Sequence, residues 1–232
     1  MDTKNILITG ASSGFGKEIA LLLHSKGYNV FGTSRNPRSR YMDGIRMLKL
    51  DVTSDASVRK CVSAVLKESK GIDVLINNAG YALMGALEEA SMQEARLQFE
   101  TNFFGAVRMV NAVLPSMRRQ RHGHIINISS LAALVPSPFE GYYAASKAAL
   151  LSYSEALYHE LMSLGICVCV VEPGFFSTNL GNLILGSRKR IHGYDAQREI
   201  LAPRFGSSVK NGQDPRVLAM AVLRVRRHQN FF

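Results

Sequence analysis

Short apolar runs recur along this chain and alternate with longer stretches of helical periodicity. Each run is bounded by glycine or small polar residues, and its short length fits a strand that is buried on both faces. Six such runs predict six strands, at residues 5–9, 28–34, 46–50, 72–77, 124–130 and 166–171.

The segments between these runs have the apolar spacing of helices that cover a sheet. One of them contains Pro115, which we expect to shorten or kink its helix. Strands that alternate with helices, without a repeat of fixed period, predict an α/β fold in a single domain over 1–232. We expect a Rossmann-like doubly wound, mainly parallel sheet flanked by helices on both faces. The predicted helices cover about 17–26, 54–69, 91–119, 142–165 and 214–229.

The composition is that of an ordinary globular protein, with 47% hydrophobic and 20% charged residues among 232. No apolar run approaches the roughly 18–20 residues that cross a bilayer, and the N-terminal run is too short for a secretory signal. We therefore expect a cytoplasmic protein without a membrane span. The three cysteines and six histidines lack the spacing of a zinc site, so no metal is predicted.

The formal net charge is +10, with basic clusters at 118–121, 188–190 and 224–227. Such clusters bind nucleic acid or anionic lipid in some proteins and are solvated helix ends or loops in others. No aromatic-rich RNA motif or zinc-finger spacing accompanies them, so a nucleic-acid partner is not predicted. A small ligand rich in phosphate is drawn to the same positive field.

A glycine-rich stretch, GASSGFG at 10–16, joins the first predicted strand to the first predicted helix. Gly10, Gly14 and Gly16 have the spacing GxxxGxG rather than the commoner GxGxxG. Glycines let a backbone approach a pyrophosphate, which the positive end of a helix dipole attracts. A tight turn that binds no phosphate is the alternative interpretation of this stretch.

The end of the second predicted strand indicates which dinucleotide such a loop would bind. An acidic residue there binds the free 2′-hydroxyl of NAD, whereas an arginine accepts the 2′-phosphate of NADP. This chain has Ser34 and Arg35 at that point, 18 and 19 residues beyond Gly16, and no acid. The sequence therefore predicts NADP(H) over NAD(H).

Polar stretches follow the predicted strands at their carboxyl ends, where doubly wound folds bind ligands. After the fifth strand, Tyr143 and Lys147 lie four residues apart, so one helical face carries both. A tyrosine hydroxyl has a pKa of about 10, and a nearby ammonium favours its ionised form. The adjacent Tyr142 has Ser146 at the same offset, so only Tyr143 gains the cation. Taken alone, such a pair is more often a coincidence on a helix surface.

These residues belong to a set of motifs that resembles the short-chain dehydrogenase/reductase family over nearly the whole chain. Within that family the chain is most similar to the 17β-hydroxysteroid and retinol dehydrogenases and their bacterial relatives. The motifs appear in order: TGASSGFG at 9–16, DV at 51–52, NNAG at 77–80, TNFFG at 101–105, NISS at 127–130, YAASK at 143–147 and PGFFST at 173–178.

The resemblance implies an enzyme that interconverts an alcohol and a carbonyl by hydride transfer. It implies Tyr143 as the acid/base, and Lys147 as the cation that lowers its pKa and holds the nicotinamide ribose. Ser130, thirteen residues before the tyrosine, is implied to bind the substrate oxygen, and Asn102 to hold a water that relays protons. The expected cofactor contacts are Gly10, Ser12, Ser13, Gly14, Phe15, Gly16, Ser34, Arg35, Asp51, Val52, Asn78, Ala79, Gly80, Tyr143, Lys147, Pro173, Gly174 and Thr178.

The expected substrate is a hydrophobic alcohol or carbonyl. The residues expected to contact it are apolar and offer no charged anchor, although half of them equally suit the packing of a lid. That lid is expected at about 175–213, where glycines accompany apolar side chains. The apolar residues are Leu83, Met84, Leu131, Leu134, Val135, Phe139, Phe175, Phe176, Leu180, Leu183, Ile184 and Leu185.

The resemblance also bears on the sheet edge and the assembly. Relatives usually continue through another strand, whereas this chain stops at 230–232, so the last edge strand is expected to be missing. A homodimer or homotetramer is the expected assembly. The alternative function is a catalytically silent NADP(H)-binding sensor or regulatory protein of the same fold. The intact set of Asn102, Ser130, Tyr143 and Lys147 favours the enzyme.

Overall fold

The computed structural model of this chain describes residues 4–177 and 184–225. The six predicted strands and the predicted helices are present there, and the α/β fold class is confirmed. The strands are β1 (Asn5–Ile8), β2 (Asn29–Ser34), β3 (Tyr41–Met42), β4 (Ile45–Lys49), β5 (Val74–Asn77), β6 (Ala82–Met84), β7 (Gly123–Ile128), β8 (Ile166–Val171) and β9 (Ile184–Gly186). The α-helices are α1 (Gly14–Ser25), α2 (Asp55–Glu68), α3 (Met92–Phe99), α4 (Gly105–Gln120), α5 (Gly141–Leu161), α6 (Asp195–Lys210) and α7 (Pro215–Val225).

The main sheet has the strand order β3-β4-β2-β1-β5-β7-β8. Its neighbouring strands are parallel except β3 and β4, which a tight turn at Asp43 and Gly44 joins. From β1 the chain builds outward through β2 and β4, then crosses to build β5, β7 and β8 on the other side. The crevice beyond the carboxyl ends of β1 and β5 is therefore the topological switch point, where ligands of such folds bind.

Alternate side chains of the central strands enter two hydrophobic cores, one on each face of the sheet. On β1, Leu7 belongs to the core formed with α2, α4 and α5, whereas Ile6 and Ile8 belong to the core formed with α1 and α7. All three side chains are fully buried. Burial of both faces explains why these strands read as continuous apolar runs in the sequence.

The long helical segment predicted at 91–119 is interrupted, but not by Pro115. α3 passes into one π-helical turn at Glu100–Phe104, and α4 then continues through Pro115 to Gln120. In that turn the backbone N–H of Gly105 donates to the carbonyl of Glu100, one residue beyond its α-helical partner. The expectation that Pro115 shortens the helix is therefore wrong, and the interruption falls at Asn102 instead.

The region after β8 contributes one core helix and one surface helix. α7 buries Leu218, Ala219, Val222 and Leu223, and it packs against α1. α6 has no buried residue. β9 pairs with β6 in a separate two-stranded parallel sheet. Of the residues expected to contact substrate, Leu180 and Leu183 lie outside the described part of the chain, as does the expected cofactor contact Thr178.

Candidate active site

The loop between β1 and α1 lies at the topological switch point. Gly10 and Gly14 have φ of +69° and +53°, a conformation that favours glycine. Ser13 precedes α1 in an extended conformation, and its side chain makes no cap hydrogen bond. The first N–H groups of α1 are thus left uncapped by Ser13, which suits the binding of a phosphate at this helix end.

Gly16 permits the close contact between this loop and α1. A Cβ atom at Gly16 would lie 2.3 Å from the carbonyl oxygen of Gly10 and 2.5 Å from Nδ2 of Asn78. Farther along the loop, Ser12 is exposed, and the ring of Phe15 packs edge-on against Phe176 with centroids 5.1 Å apart. Phe15 therefore joins the glycine loop to the segment that follows β8.

Thr9 and Asn78 hold the end of β5 against the same loop. Thr9 Oγ1 accepts hydrogen bonds from the backbone N–H groups of Asn78 and Ala79, both at 2.9 Å. Asn78 Nδ2 donates in return to the carbonyl oxygens of Thr9 at 3.0 Å and Gly10 at 3.2 Å. Asn78 therefore positions the loop, and Thr9 is a positioning residue that the sequence reasoning missed. Its only signal in the sequence was a hydroxyl directly before the first glycine.

The carboxyl ends of β2 and β4 are neighbours and carry Ser34, Arg35 and Asp51. Ser34 Oγ is buried and has no hydrogen-bond partner among the residues described, and Arg35 is exposed. The backbone N–H of Thr53 donates to Asp51 at 3.0 Å and holds the pKa of that carboxyl below its usual range, helped by the charges of Arg35 and Arg108. A buried hydroxyl without a partner and an arginine at the next position in the sequence are groups that suit a phosphate.

Tyr143 and Lys147 lie on the first turns of α5, as the sequence predicts. The Lys147 ammonium is 5.9 Å from the centroid of the Tyr143 ring and donates to the carbonyl of Ile128 at 2.6 Å. Lys147 is only 6% exposed, and burial lowers its pKa to about 8. Burial raises the pKa of Tyr143, a hydrogen bond with the Ser130 side chain opposes that shift, and the charge of Glu140 adds to it.

The two adjacent serines at the end of β7 face different partners. The Ser130 side chain acts on the Tyr143 hydroxyl to lower its pKa, and Ser130 Oγ accepts a hydrogen bond from the N–H of Ala132 at 3.2 Å. Ser129 is buried and donates to the carbonyl oxygen of Lys147 at 3.0 Å. The structure therefore groups Ser130, and not Ser129, with the tyrosine hydroxyl.

Asn102 lies in the π-helical turn and is 1% exposed. Its Nδ2 donates to the carbonyl of Tyr81 at 3.0 Å and to Ser146 Oγ at 3.1 Å, while its Oδ1 accepts from the N–H of Tyr81 at 3.1 Å. Ser146 in turn donates to the carbonyl of Tyr143 at 2.7 Å. Both amide hydrogens of Asn102 are therefore used to join the segment after β5 to α5.

The remaining expected contacts lie around this group. A Cβ atom at Gly80 would be 3.0 Å from Oδ1 of Asn102 and 3.7 Å from Nζ of Lys147, so only a glycine leaves that space open. Val52 is buried at the carboxyl end of β4, where Gly105 lets α4 approach it closely. Pro173 accepts a hydrogen bond from the N–H of Leu131 at 2.9 Å, and Gly174 follows it.

A cavity of about 480 Å³ lies between the loop that leads into α5 and the helix α6. Four of the residues expected to contact substrate line it, namely Met84, Phe139, Phe175 and Ile184, together with Leu201 and Phe205 of α6. Leu83 and Phe176 are instead buried in the packing around it. The cavity is large enough for a small hydrophobic molecule.

The expectation that no charged side chain accompanies this apolar surface is wrong. The spacing of apolar residues does not show which charges the fold brings beside them from distant segments. The charged residues of the cavity wall are Glu89, Glu140, Lys189, Arg190, Arg198 and Arg204.

Glu89 is buried and ties the segment that carries α6 to the body of the molecule. It accepts hydrogen bonds from the N–H groups of Ala86 at 2.9 Å and Ile191 at 2.7 Å, and from the guanidinium of Arg198 at 2.5 Å. Burial acts to raise its pKa, but these hydrogen bonds outweigh burial and hold the pKa below its usual range. The guanidinium of Arg198 also bonds Asp195 and lies over the ring of Phe139.

The described ranges 4–177 and 184–225 lack a metal site and a membrane-spanning helix. They contain no group of three or more His, Cys, Asp or Glu side chains that is placed to hold a metal ion. They also contain no helix that is both long enough and apolar enough to cross a membrane.

A family model described as short chain dehydrogenase matches residues 4–186. The chain belongs to the short-chain dehydrogenase/reductase family. The chain is 44% identical over 237 residues to 3-ketodihydrosphingosine reductase of Bacteroides thetaiotaomicron, covering 99% of this chain and 86% of the relative. It is 38% identical over 245 residues to human retinol dehydrogenase 8, covering 96% of this chain and 77% of the relative. The resemblance to the retinol and steroid dehydrogenase branch is thereby confirmed.

Solved structures of the family share the fold of this chain. A short-chain dehydrogenase from Streptomyces avermitilis has a TM-score of 0.90 and 34% identity, covering 99% of this chain and 86% of that one. The protein ElxO with NADP bound has a TM-score of 0.82 and 27% identity, covering 100% and 94%. A family member from Burkholderia phymatum in complex with NAD has a TM-score of 0.85 and 26% identity, covering 99% and 88%. Neighbours of this chain thus bind either cofactor.

The residues of this chain fit a nicotinamide dinucleotide. The helix end beyond Ser13 is uncapped by that side chain, Gly16 keeps the loop against α1, and Ser34 Oγ is a buried hydroxyl without a partner among the described residues. Gly80 leaves the space beside Lys147 open. Each of these features is what a pyrophosphate or a ribose needs from the protein.

Replacing Gly16 by alanine should weaken NADP(H) binding by about tenfold or more and destabilise the fold by about 1–3 kcal/mol, because the new methyl group overlaps backbone. Gly193→Ala is the matched control, since a Cβ there meets nothing within 4 Å. Fluorescence titration with NADPH and denaturant unfolding measure the two effects. Equal affinity in both variants would show that the loop does not bind the cofactor.

Proposed function

We propose that this protein is an NADP(H)-dependent oxidoreductase that interconverts an alcohol and a carbonyl on a hydrophobic substrate, with Tyr143 as the acid/base. The observation that carries the proposal is the grouping of Tyr143 and Lys147 on the first turns of α5 with Ser130 at the end of β7. The Ser130 side chain acts to lower the pKa of Tyr143 against the effect of burial, and the buried ammonium is 5.9 Å from the tyrosine ring. A sensor that never performs chemistry has no need of this grouping.

The side chains divide the work of proton transfer. The bound nicotinamide supplies or accepts the hydride. In the reducing direction Ser130 polarises the carbonyl by a hydrogen bond and Tyr143 gives its proton to the oxygen, leaving a phenolate. Lys147, whose pKa is lowered to about 8, stabilises that phenolate in its charged form. Oxidation of the alcohol reverses each of these steps.

Asn102 is proposed as a positioning residue. Its two amide hydrogens already bond Tyr81 and Ser146. Its side chain therefore has no N–H left to give to a water, which refines the role expected from the family resemblance. Its contribution is to hold Ser146 and, through the carbonyl of Tyr143, the start of the catalytic helix.

The preference for NADP(H) over NAD(H) is proposed from Ser34 and Arg35. Arg35→Asp should lower the ratio of NADP to NAD affinity by about tenfold to a hundredfold, since it removes a charge-assisted hydrogen bond worth about 1.5–3 kcal/mol. The matched control is Arg119→Asp, an equal change of charge near the end of α4, away from the strand ends. Titration with both cofactors measures the ratio, and an unchanged ratio in Arg35→Asp would contradict the preference.

The hydrophobic substrate is proposed from the apolar cavity wall and from the relatives. Their names give 3-ketodihydrosphingosine and retinol as substrates, and both molecules have long hydrocarbon parts. The segment 184–213 is proposed as the described part of the lid, because β9 and α6 border the cavity. A cytoplasmic location, a homodimer or homotetramer and the lack of a nucleic-acid partner stay predictions.

The direct test is NADPH consumption with a panel of aliphatic ketones, aldehydes, steroids and quinones. We expect turnover to rise with the apolar surface of the substrate across a homologous series of ketones. Turnover confined to small charged keto acids would contradict the proposed substrate class. NADPH binding without turnover of any compound would favour the sensor instead.

A further inference from the structure

Three of the six charged residues in the cavity wall already have partners within the protein. Arg198 pairs with Glu89 and Asp195, and Arg190 pairs with Asp195. Lys189 and Arg204 have no acidic partner in the described ranges, but both are exposed. Glu140 is the remaining charged residue of the wall and differs from these, because it is 8% exposed and no basic side chain pairs with it in the described ranges.

Burial of Glu140 is costly for the protein without a cation. A buried carboxylate normally has a paired charge, since hydrogen bonds alone replace its hydration incompletely. Burial raises the pKa of Glu140, and only hydrogen bonds from Ser137 oppose that shift. Both residues line the cavity, so a ligand in the cavity has access to this group.

The position of Glu140 links it to the reacting atoms. It immediately precedes α5, three residues before Tyr143, and its carbonyl accepts the N–H of Ala144 at 2.8 Å. Together with burial, its negative charge raises the pKa of Tyr143 and so opposes formation of the phenolate. Left uncompensated, Glu140 works against proton donation by the tyrosine.

A cation bound in the cavity would remove both disadvantages together. It would supply the partner that the buried carboxylate lacks, and it would cancel the field that Glu140 exerts on Tyr143. We propose that Glu140 binds an ammonium group of the substrate close to the reacting carbon, so that the preferred substrate class is a hydrophobic amino ketone or amino alcohol. This inference rests on the proposed function and names the substrate class more narrowly.

Lys189 and Arg204 do not overturn this choice of ligand charge. Both side chains are exposed on the side of the cavity formed by residues 184–210, where water and salt screen their charges. Glu140 is buried beside the catalytic helix, where screening is weak. The Glu140 carboxylate therefore attracts an ammonium group next to the reacting carbon more strongly than the two exposed cations repel it.

The test compares 1-amino-2-decanone, as its ammonium salt, with 2-decanone at pH 7 in the presence of NADPH. In the native protein kcat/KM should be at least about tenfold higher for the amino ketone, as expected of a charge-assisted hydrogen bond. Glu140→Gln keeps the shape and removes the charge, so the ratio should fall by about tenfold. Glu199→Gln is the matched control, an exposed acid of α6 outside the cavity wall, and should keep the native ratio.

A native ratio of one or less, or a ratio that Glu140→Gln does not lower, would overturn the inference. If neither ketone is reduced, the proposed function fails, and the ammonium site is then decided by calorimetry. In that case 1-amino-2-decanol should bind the NADP-loaded protein more tightly than 2-decanol, and Glu140→Gln should abolish the difference. Equal binding of the two alcohols would refute the site itself.

Discussion

Tyr143→Phe should lower kcat for carbonyl reduction by about 10²–10⁴-fold, the usual contribution of a positioned general acid. The substitution removes only the hydroxyl oxygen atom, the group whose pKa the Ser130 side chain acts to lower against the effect of burial. NADPH affinity should change little, because the ring and the neighbouring Lys147 stay in place. Stopped-flow measurement of NADPH oxidation, with a separate binding titration, distinguishes lost chemistry from lost cofactor.

The chain offers a matched control in the adjacent Tyr142. Tyr142→Phe removes the same atom one residue earlier on α5. Tyr142 does not share the helical face of Tyr143 and Lys147. It should retain kcat within about twofold, the scale of a surface substitution. Comparable losses in the two variants would mean that the hydroxyl of Tyr143 has no special part in the reaction.

Lys147→Met should abolish turnover and at the same time stabilise the cofactor-free protein at pH 7. Burial lowers the pKa of Lys147 from 10.5 to about 8, so below pH 8 the folded state carries a charge that its surroundings disfavour. That penalty is about 3 kcal/mol, offset in part by the hydrogen bond to Ile128 that methionine loses. The proposed mechanism requires the ammonium beside Tyr143, which explains why the native protein keeps a lysine that lowers its folding stability.

The pH dependence of this effect has a definite sign. The penalty of Lys147 is fully present below about pH 8 and fades as the pH rises towards 10.5, where lysine in the unfolded chain also loses its proton. The stability advantage of Lys147→Met should therefore shrink by about 2 kcal/mol between pH 7 and pH 9.5. Denaturant unfolding at both pH values measures it, with Lys67→Met as an exposed control. An advantage that stays constant with pH would contradict a buried ammonium.

Much of the fold could be predicted because the central strands are buried on both faces. Residues such as Ile6, Leu7 and Ile8 are all fully buried. Because both faces of the strand are buried, its sequence is a continuous apolar run. The π-helical turn at Glu100–Phe104 could not be predicted in the same way. It depends on the side chain of Asn102 bonding residues 21 positions before it and 44 positions after it. The spacing of apolar residues within a helix does not indicate contacts with residues that are far away in the sequence.

The β6–β9 pair and the helix α6 could not be predicted from the sequence pattern either. Ala82 pairs with Ile184 across 102 residues of sequence, in a two-stranded sheet too short to produce a recognisable pattern. α6 has no buried residue, so it lacks the apolar face by which helices are detected. The structure of such elements is determined by their contacts with the rest of the folded protein.

The candidate site divides along similar lines. Tyr143, Lys147, Ser130 and the glycine loop lie in contiguous motifs, so the resemblance of those motifs to the family's was enough to indicate them. Thr9 and Glu140 did not stand out, because their importance comes from partners that are far apart in the sequence or from a cavity wall assembled by several segments. The charges of that wall, which correct the expectation of a purely apolar surface, belong to the same class.

The most direct test of the central claim is transfer of deuterium from NADPH dideuterated at nicotinamide C4 to a hydrophobic ketone. Mass spectrometry of the product should show one deuterium on the carbinol carbon in the native protein, with formation of that product falling by at least about a hundredfold in Tyr143→Phe. Labelling both C4 positions makes the result independent of which hydrogen is transferred. Stable binding of NADPH without deuterium in any alcohol from the ketone panel would contradict the claim that this protein is a carbonyl reductase.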